Sequence, residues 1–180
     1  MTSISDLTPG TWNIDPSHTV VGFTARHLMI SKVRGRFTSF TGSVTIAEDP
    51  LQSTVEATVD LGSVSTGDEA RDTHLRSGDF FGVENHPTMT FRSTGIKADG
   101  DDYLLTGDLT VAGKTRTVDF ELELDGVEND PWGGTRAGFT AEAEISRKDW
   151  ELTWNVALET GGVLVGDKVK IELDVELVKA

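Results

Sequence analysis

Apolar and polar residues alternate one by one in stretch after stretch of this chain. Val21, Phe23 and Ala25 alternate with Gly22, Thr24 and Arg26, and Val55, Ala57, Val59 and Leu61 with Glu56, Thr58 and Asp60. Val118, Phe120, Leu122 and Leu124 alternate with Asp119, Glu121, Glu123 and Asp125. Near the end, Val169, Ile171, Leu173, Val175 and Leu177 alternate with Lys168, Lys170, Glu172, Asp174 and Glu176. A period of two sends successive side chains to opposite faces of an extended strand, so each stretch predicts a half-buried antiparallel strand with one dry row and one wet row. Further strands are predicted over Arg36 to Ala47, Thr88 to Ile96, Tyr103 to Val111 and Arg136 to Ser146. Turn signals separate them at Glu48-Asp49-Pro50, Ala98-Asp99-Gly100-Asp101, Ala112-Gly113-Lys114 and Asn129-Asp130-Pro131-Trp132-Gly133-Gly134. The total is eight strands, or nine with a short one over Thr11 to Asp15.

Strands do not alternate with long helices, which argues against a parallel α/β architecture. Several strands are longer than the usual five or six residues, and the last leaves a hydrophobic ladder exposed unless something pairs with it. Closure removes that edge, so the expected fold is all-β: an antiparallel barrel of about eight strands. A barrel of that size is either filled by side chains or holds one small ligand. The stretch from Ser65 to Gly78 lacks alternation and predicts a short helix. Thr66 and Glu69 fit a capping box, and Asp72 with Arg76 has the spacing of an ion pair. Asp79-Phe80-Phe81 follows at once and is expected to anchor the helix over one end of the barrel.

The 180 residues predict a single domain over 1–180, with residues 1–10 as a flexible tail. The formal charge of −14 argues against nucleic acid and against an anionic membrane surface, both of which recruit cations. There is no cysteine, which excludes disulfides, thiolate metal sites and thiol nucleophiles. The first ten residues hold no basic region followed by an apolar stretch, and nowhere do roughly eighteen apolar residues run together. The expectation is a soluble, unexported, cytoplasmic acidic protein.

The four histidines, His18, His27, His74 and His86, fall in different predicted elements without short ligand spacing, so no metal site is expected. No Gly-x-Ser-x-Gly elbow activates a serine. Gly133-Gly134 and Gly161-Gly162 read as turns, since neither leads into a helix with a phosphate-cradle pattern. His18 and His27, near the ends of one strand, are expected to bond turn backbone or to line a polar barrel end. The densest polar cluster is Glu69, Arg71, Asp72, His74 and Arg76 on the short helix. It suits an ion network that docks the helix, a clamp for a polar headgroup at the mouth of an apolar cavity, or a catalytic set.

Several ordered stretches resemble the YceI-like family of polyisoprenoid-binding, lipocalin-like proteins, over roughly Thr11 to Val178. They include Trp12-Asn13-Ile14-Asp15-Pro16-Ser17-His18-Thr19 leading into Val21-x-Phe23-x-x-x-His27-Leu28, then Val33-Arg34-Gly35-Arg36-Phe37-x-x-Phe40-x-Gly42. Later come Arg71-Asp72-x-His74-Leu75-x-x-x-Asp79-Phe80-Phe81, His86-Pro87-Thr88-Met89-Thr90-Phe91-x-Ser93, Gly107-Asp108-Leu109-Thr110-Val111-x-Gly113 and Ile145-Ser146-Arg147-Lys148-Asp149-Trp150. The resemblance implies a lipocalin-like barrel closed at one end by the short helix, with an elongated apolar interior. Matching positions imply an inward lining of Val21, Phe23, Phe37, Phe40, Val44, Val59, Met89, Phe91, Leu109, Phe120, Phe139, Ile145 and Ile171. His18, His27, Arg71, Asp72 and His74 are then headgroup or helix-docking residues. The implied function is non-enzymatic binding, storage or transport of a long apolar lipid, a polyisoprenoid or isoprenoid quinone, with no catalytic residue and no cofactor other than such a lipid. The alternative is an isomerase or hydrolase of a lipophilic substrate using Arg71, Asp72 and His74. A lipid is the expected partner, a homodimer is left open, and no integral membrane segment is expected. After Asp149 the family often has an aromatic followed by glycine, whereas Trp150 here precedes Glu151, so the local turn is expected to differ.

Overall fold

The computed structural model of the chain describes residues 3–28, 30–155 and 165–180, and the side chain of His27 lies outside the description. Eleven strand segments run in order: β1 (Gly10–Ile14), β2 (Val20–His27), β3 (Ser31–Phe37), β4 (Phe40–Ile46), β5 (Thr54–Asp60), β6 (Val64–Ser65), β7 (Thr88–Asp99), β8 (Asp102–Val111), β9 (Lys114–Asn129), β10 (Thr135–Ser146) and β11 (Val165–Lys179). Every pairing is antiparallel. The ring β1-β4-β5-β7-β8-β9-β10-β11 closes through β1 against β11, with Trp12 opposite Lys179 and Ile14 opposite Leu177. β2 continues the line of β1 along β11, β3 that of β4, and β6 that of β5. The architecture is therefore a closed eight-stranded antiparallel barrel with three interrupted strands, among the described residues, as the alternation implies.

The interruptions correct the strand predicted over Arg36 to Ala47, which starts earlier, at Ser31, and breaks at Thr38-Ser39. Ser63 takes over the hydrogen bonds there: its Oγ accepts from the N–H groups of Thr38 and Ser39, both at 3.1 Å, and donates to the Asp60 carbonyl at 2.6 Å. Gly161-Gly162 lies outside the described residues.

Alternation holds along each strand until a bulge resets it. On β9, Val118 and Phe120 are buried between exposed Thr117, Asp119 and Glu121. The register then slips between Gly138 and Phe139 of β10, so Asp125 has no cross-strand partner and Val127 recovers the inward phase. A second slip, between Ser93 and Gly95, does the same for Ile96 on β7. Gly107 lies where the Phe91 ring crosses β8; a β-carbon there would collide with that ring and stand 2.7 Å from the Arg92 carbonyl oxygen.

Both ends of the barrel carry plugs. Residues 1–10 were expected to be a flexible tail, yet a capped 3-10 turn, Ile4–Asp6, buries Ile4 and Leu7 against Trp12, Ile46, Ala137 and Leu177. Burial of these two apolar side chains, together with the Ser3–Asp6 capping box and the Ile4 N–H donated to the Tyr103 hydroxyl at 3.2 Å, offsets the chain entropy of ordering the segment. At the other end sits α1 (Glu69–Arg76), followed by Phe81 and Val83. Leu75, Phe81 and Val83 pack on Phe37, Val59, Leu61 and Val64. The cap of α1 is Asp68, whose carboxylate accepts the Arg71 N–H at 3.1 Å, and not Thr66 as the capping-box reading expected. Asp72 and Arg76 do not form the expected ion pair. Asp72 accepts from the backbone N–H and the hydroxyl of Thr66, at 2.9 and 2.6 Å, while Arg76 donates to the carbonyls of Gly62 and Val64.

Candidate functional site

Between the two plugs the inward rows line a cavity of about 200 Å³. Its walls come from all eight barrel strands, because each contributes alternate residues to the inside. Twelve of the thirteen residues expected as lining border it: Val21, Phe23, Phe37, Phe40, Val44, Val59, Met89, Phe91, Leu109, Phe120, Phe139 and Ile171. The thirteenth, Ile145, also points inward but lies beyond the cavity, in the cluster under Trp150. The Trp150 indole donates to the Leu109 carbonyl at 2.9 Å and seals that part of the rim.

Other walls were not anticipated as lining. Val55, Ala57, Leu122, Leu173 and Val175 had their signal in the alternation itself. Ile4 had none, because nothing local shows that the chain start folds back. Buried hydroxyls at the wall are already used: Thr19 accepts from the Glu176 N–H at 3.1 Å and Ser53 from the Ala47 N–H at 3.1 Å. No buried side-chain nitrogen or oxygen among the described residues lacks a partner. The cavity thus offers almost entirely hydrocarbon surface, and no buried side-chain polar atom at its wall lacks a partner, so it discriminates by shape and length. Aromatic pairs such as Phe91 against Phe120, edge to face at 5.4 Å, and Phe23 against Phe37 at 5.6 Å shape it.

The polar residues singled out in the sequence do not meet at the cavity. Arg71 Nε and Nη2 donate to the hydroxyl and carbonyl of Thr66, at 2.7 and 2.9 Å, and Asp72 takes the opposite side of the same threonine. Both side chains therefore tie α1 to the end of β6. His74 turns away from them, with Nε2 2.9 Å from Asp79 Oδ2 and its ring edge-on to Trp154 and Phe80. An acid/base set needs groups converging on one reacting atom, and these three do not converge. Arg147, part of the last of the quoted motifs but given no role there, is buried and donates to the carbonyls of Leu152, Trp154, Val165 and Gly166. It holds the chain after β10 against the start of β11.

His18 belongs to a cluster on the outer wall. Its Nδ1 lies 2.9 Å from Asp15 and 3.3 Å from Glu176, and Arg136 joins Asp15 at 2.8 Å, Asp130 at 3.0 Å and Glu176 at 3.4 Å. One ligand atom each from Asp15, His18 and Glu176 lies within 4.8 Å of the others, a spacing a cation can use. The Arg136 guanidinium already occupies the anionic side of that trio, and a cation would have to displace it. The hydrogen bond to Asp15 holds the His18 imidazolium above its ordinary value of 6.5, with Glu176 adding to it. Asp15 is held well below the usual carboxylate range by His18, Ser17 and Arg136. A raised histidine adds stability in full below about pH 6.5 and loses it as the pH rises through the raised midpoint. By proton NMR, His18 should titrate above 6.5, and in Asp15→Asn its midpoint should fall toward the ordinary value. An unchanged midpoint in that variant would show that Asp15 is not the cause.

A family model described as the YceI-like domain matches residues 12–177. The chain belongs to the YceI-like family. Protein YceI of Escherichia coli O17:K52:H18 is 45% identical over 136 residues, which are 75% of this chain and 71% of that relative. A UPF0312 protein of Pseudomonas paraeruginosa is 46% identical over the same length and the same shares. Among solved structures, BcnA of Burkholderia cenocepacia is similar with a TM-score of 0.76 at 23% identity, over 91% of this chain and 98% of that one. The Campylobacter jejuni YceI protein has a TM-score of 0.72 at 28% identity, over 86% and 90%. A polyisoprenoid binding domain from Saccharophagus degradans has a TM-score of 0.68 at 15% identity, over 96% and 100%, a likeness of fold. No helix among the described residues of this YceI-like barrel is long and apolar enough to cross a membrane.

The turn after Trp150 also bears on the YceI-like pattern. Glu151 adopts φ 60 and ψ 24, the left-handed conformation a glycine takes without strain. A salt bridge from Lys114 at 2.8 Å accompanies it and holds the Glu151 carboxyl below its usual range. Both partners are largely exposed, so the bridge is worth less than the backbone strain. Glu151→Gly is therefore expected to leave stability unchanged or raise it by up to about 1 kcal/mol; urea unfolding measures this, and a loss of stability would place the weight on the Lys114 bridge.

Proposed function

We propose that the protein binds, stores or carries a long apolar lipid of the isoprenoid type, a polyisoprenoid or isoprenoid quinone, inside the barrel, without chemically altering it. The observation that carries this reading is the cavity of about 200 Å³ whose walls are almost entirely apolar, with no buried side-chain polar atom among the described residues left without a partner. That volume exceeds the dry apolar cavity of about 150 Å³ that takes up benzene, and lies below the roughly 300–1,000 Å³ of drug-sized sites. A short run of isoprene units fits it directly, and a longer chain requires rings such as Phe23 and Phe91 to swing aside. Each buried methylene contributes on the order of 0.8 kcal/mol, so a five-carbon unit contributes roughly 3–4 kcal/mol before ordering costs. The polyisoprenoid-binding description of the Saccharophagus degradans domain, which shares the fold, supports the same ligand class. The enzymatic alternative loses support from the divergence of Arg71, Asp72 and His74.

Native mass spectrometry and solvent extraction of the purified protein test the proposal. A co-purifying isoprenoid, or displacement of an apolar fluorescent probe by polyprenols in solution, is the expected result. Reproducibly empty protein that also fails to take up polyprenol would overturn it.

A further inference from the structure

Residues 16–47 contain Arg26, Lys32, Arg34 and Arg36 and not one Asp or Glu, in a chain whose net charge is −14. The fold gathers these four cations on one surface. Arg26 pairs across the β2–β3 hairpin with Lys32, Arg34 with Thr24 and Arg36 with Gly22, and all four side chains are exposed. None has a carboxylate partner at ion-pair distance among the described residues. Elsewhere on the barrel wall, lysines and arginines such as Lys168, Lys170 and Arg92 pair with glutamates.

Two apolar residues at the tip of the same hairpin lie in water. Ile30 is 82% exposed and Leu28 is 39% exposed. Leu28 also holds φ 56, in the left-handed region that favours glycine or asparagine. A bulky apolar residue that is both exposed and strained contributes nothing to the fold that glycine would not contribute better. The β3 half of the hairpin is an open sheet edge: β3 meets β6 only at Arg36 and Phe37, so Ser31 to Gly35 have β2 as their one strand neighbour among the described residues, while β2 stays paired with β11 as far as His27. This is the end of the barrel where β11 begins and where α1 sits over the cavity.

We propose that the β2–β3 hairpin is a membrane-docking element that seats the helix-bearing end of the barrel on an anionic lipid surface. Leu28 and Ile30 enter the headgroup region while Arg26, Lys32, Arg34 and Arg36 meet lipid phosphates. An apolar tip with a cationic collar is the pattern of interfacial anchors. The net negative charge of the rest of the molecule is repelled by the same surface, which orients the encounter. The inference rests on the carrier reading, since a bilayer is where a long apolar lipid is collected and released.

Vesicle co-sedimentation of the full chain tests it, with vesicles of phosphatidylcholine alone and of phosphatidylcholine mixed equally with phosphatidylglycerol. The expected result is binding to the mixed vesicles only, weakened by added salt. The double variant Lys32→Glu with Arg34→Glu should bind at least tenfold more weakly. Leu28→Gly, which suits the turn and so keeps the fold, combined with Ile30→Ser, should lower binding several-fold. No preference for the anionic vesicles, or equal binding by the charge-reversed variant, overturns the proposal. Displacement of an apolar probe in vesicle-free solution should be unchanged in all these variants. Failure of docking with that uptake intact leaves the carrier reading standing, and failure of uptake with docking intact removes the carrier reading alone.

Discussion

Trp12→Ala should destabilise the barrel by about 3–5 kcal/mol, the range for deleting a buried tryptophan. Trp12 is fully buried, its indole donates to the Thr8 carbonyl at 3.0 Å, and it sits on the strand that closes the ring between β4 and β11. Its loss empties the centre of the cluster that also holds Ile4 and Leu7. The N-terminal turn then loses its apolar seat, and the seam opposite Lys179 and Leu177 loosens. Against a typical stability of about 5–15 kcal/mol this is a large fraction, and it should lower the melting temperature by on the order of 10 °C for a domain of this size. A loss below about 1 kcal/mol in urea unfolding would show that closure does not depend on this cluster.

Ala141→Phe is expected to abolish most lipid uptake while the barrel survives. Ala141 is buried, borders the cavity and lies opposite both Leu122 and Leu173, so a ring there enters the space between the two plugs. Part of the added volume fills existing space, which keeps the destabilisation within about 1–3 kcal/mol. Probe affinity should drop at least tenfold, and more for long polyprenols than for short ones, because the blockage falls across the length of the cavity. Equal loss for every ligand length, together with a collapsed melting temperature, would mean that the variant reports unfolding. Unchanged affinity would place the lipid somewhere other than the interior.

How much of this was legible in the sequence differs from element to element. Period-two stretches such as Val118 to Asp125 identified the inward and outward rows, since alternation is a property of each strand alone. The three chain breaks and the bulges at Asp125 and Thr94 were not legible, because they depend on which residue stands across the ladder. Arg71, Asp72 and His74 looked like one cluster from their spacing on a helix. Their real partners, Thr66 for the first two and Asp79 for the third, are set by how α1 lies on the barrel end. Asp15 and Glu176 lie far apart in the chain and meet beside His18 only because β11 runs past the end of β1.

Net charge shows the same division. The value of −14 argued against an anionic surface, and for the molecule as a whole that repulsion stands. A sum over the chain carries no position, and the β2–β3 pairing puts four cations without a carboxylate partner among the described residues together on one hairpin. By itself the sequence determined an all-β chain with a dry face and a wet face on each strand, because hydrophobic periodicity is local and survives any arrangement of neighbours. Closure of the ring, the folding back of Ile4 and Leu7, the size of the cavity and the gathering of charge were decided only by the tertiary structure, because each depends on contacts between residues the chain keeps far apart.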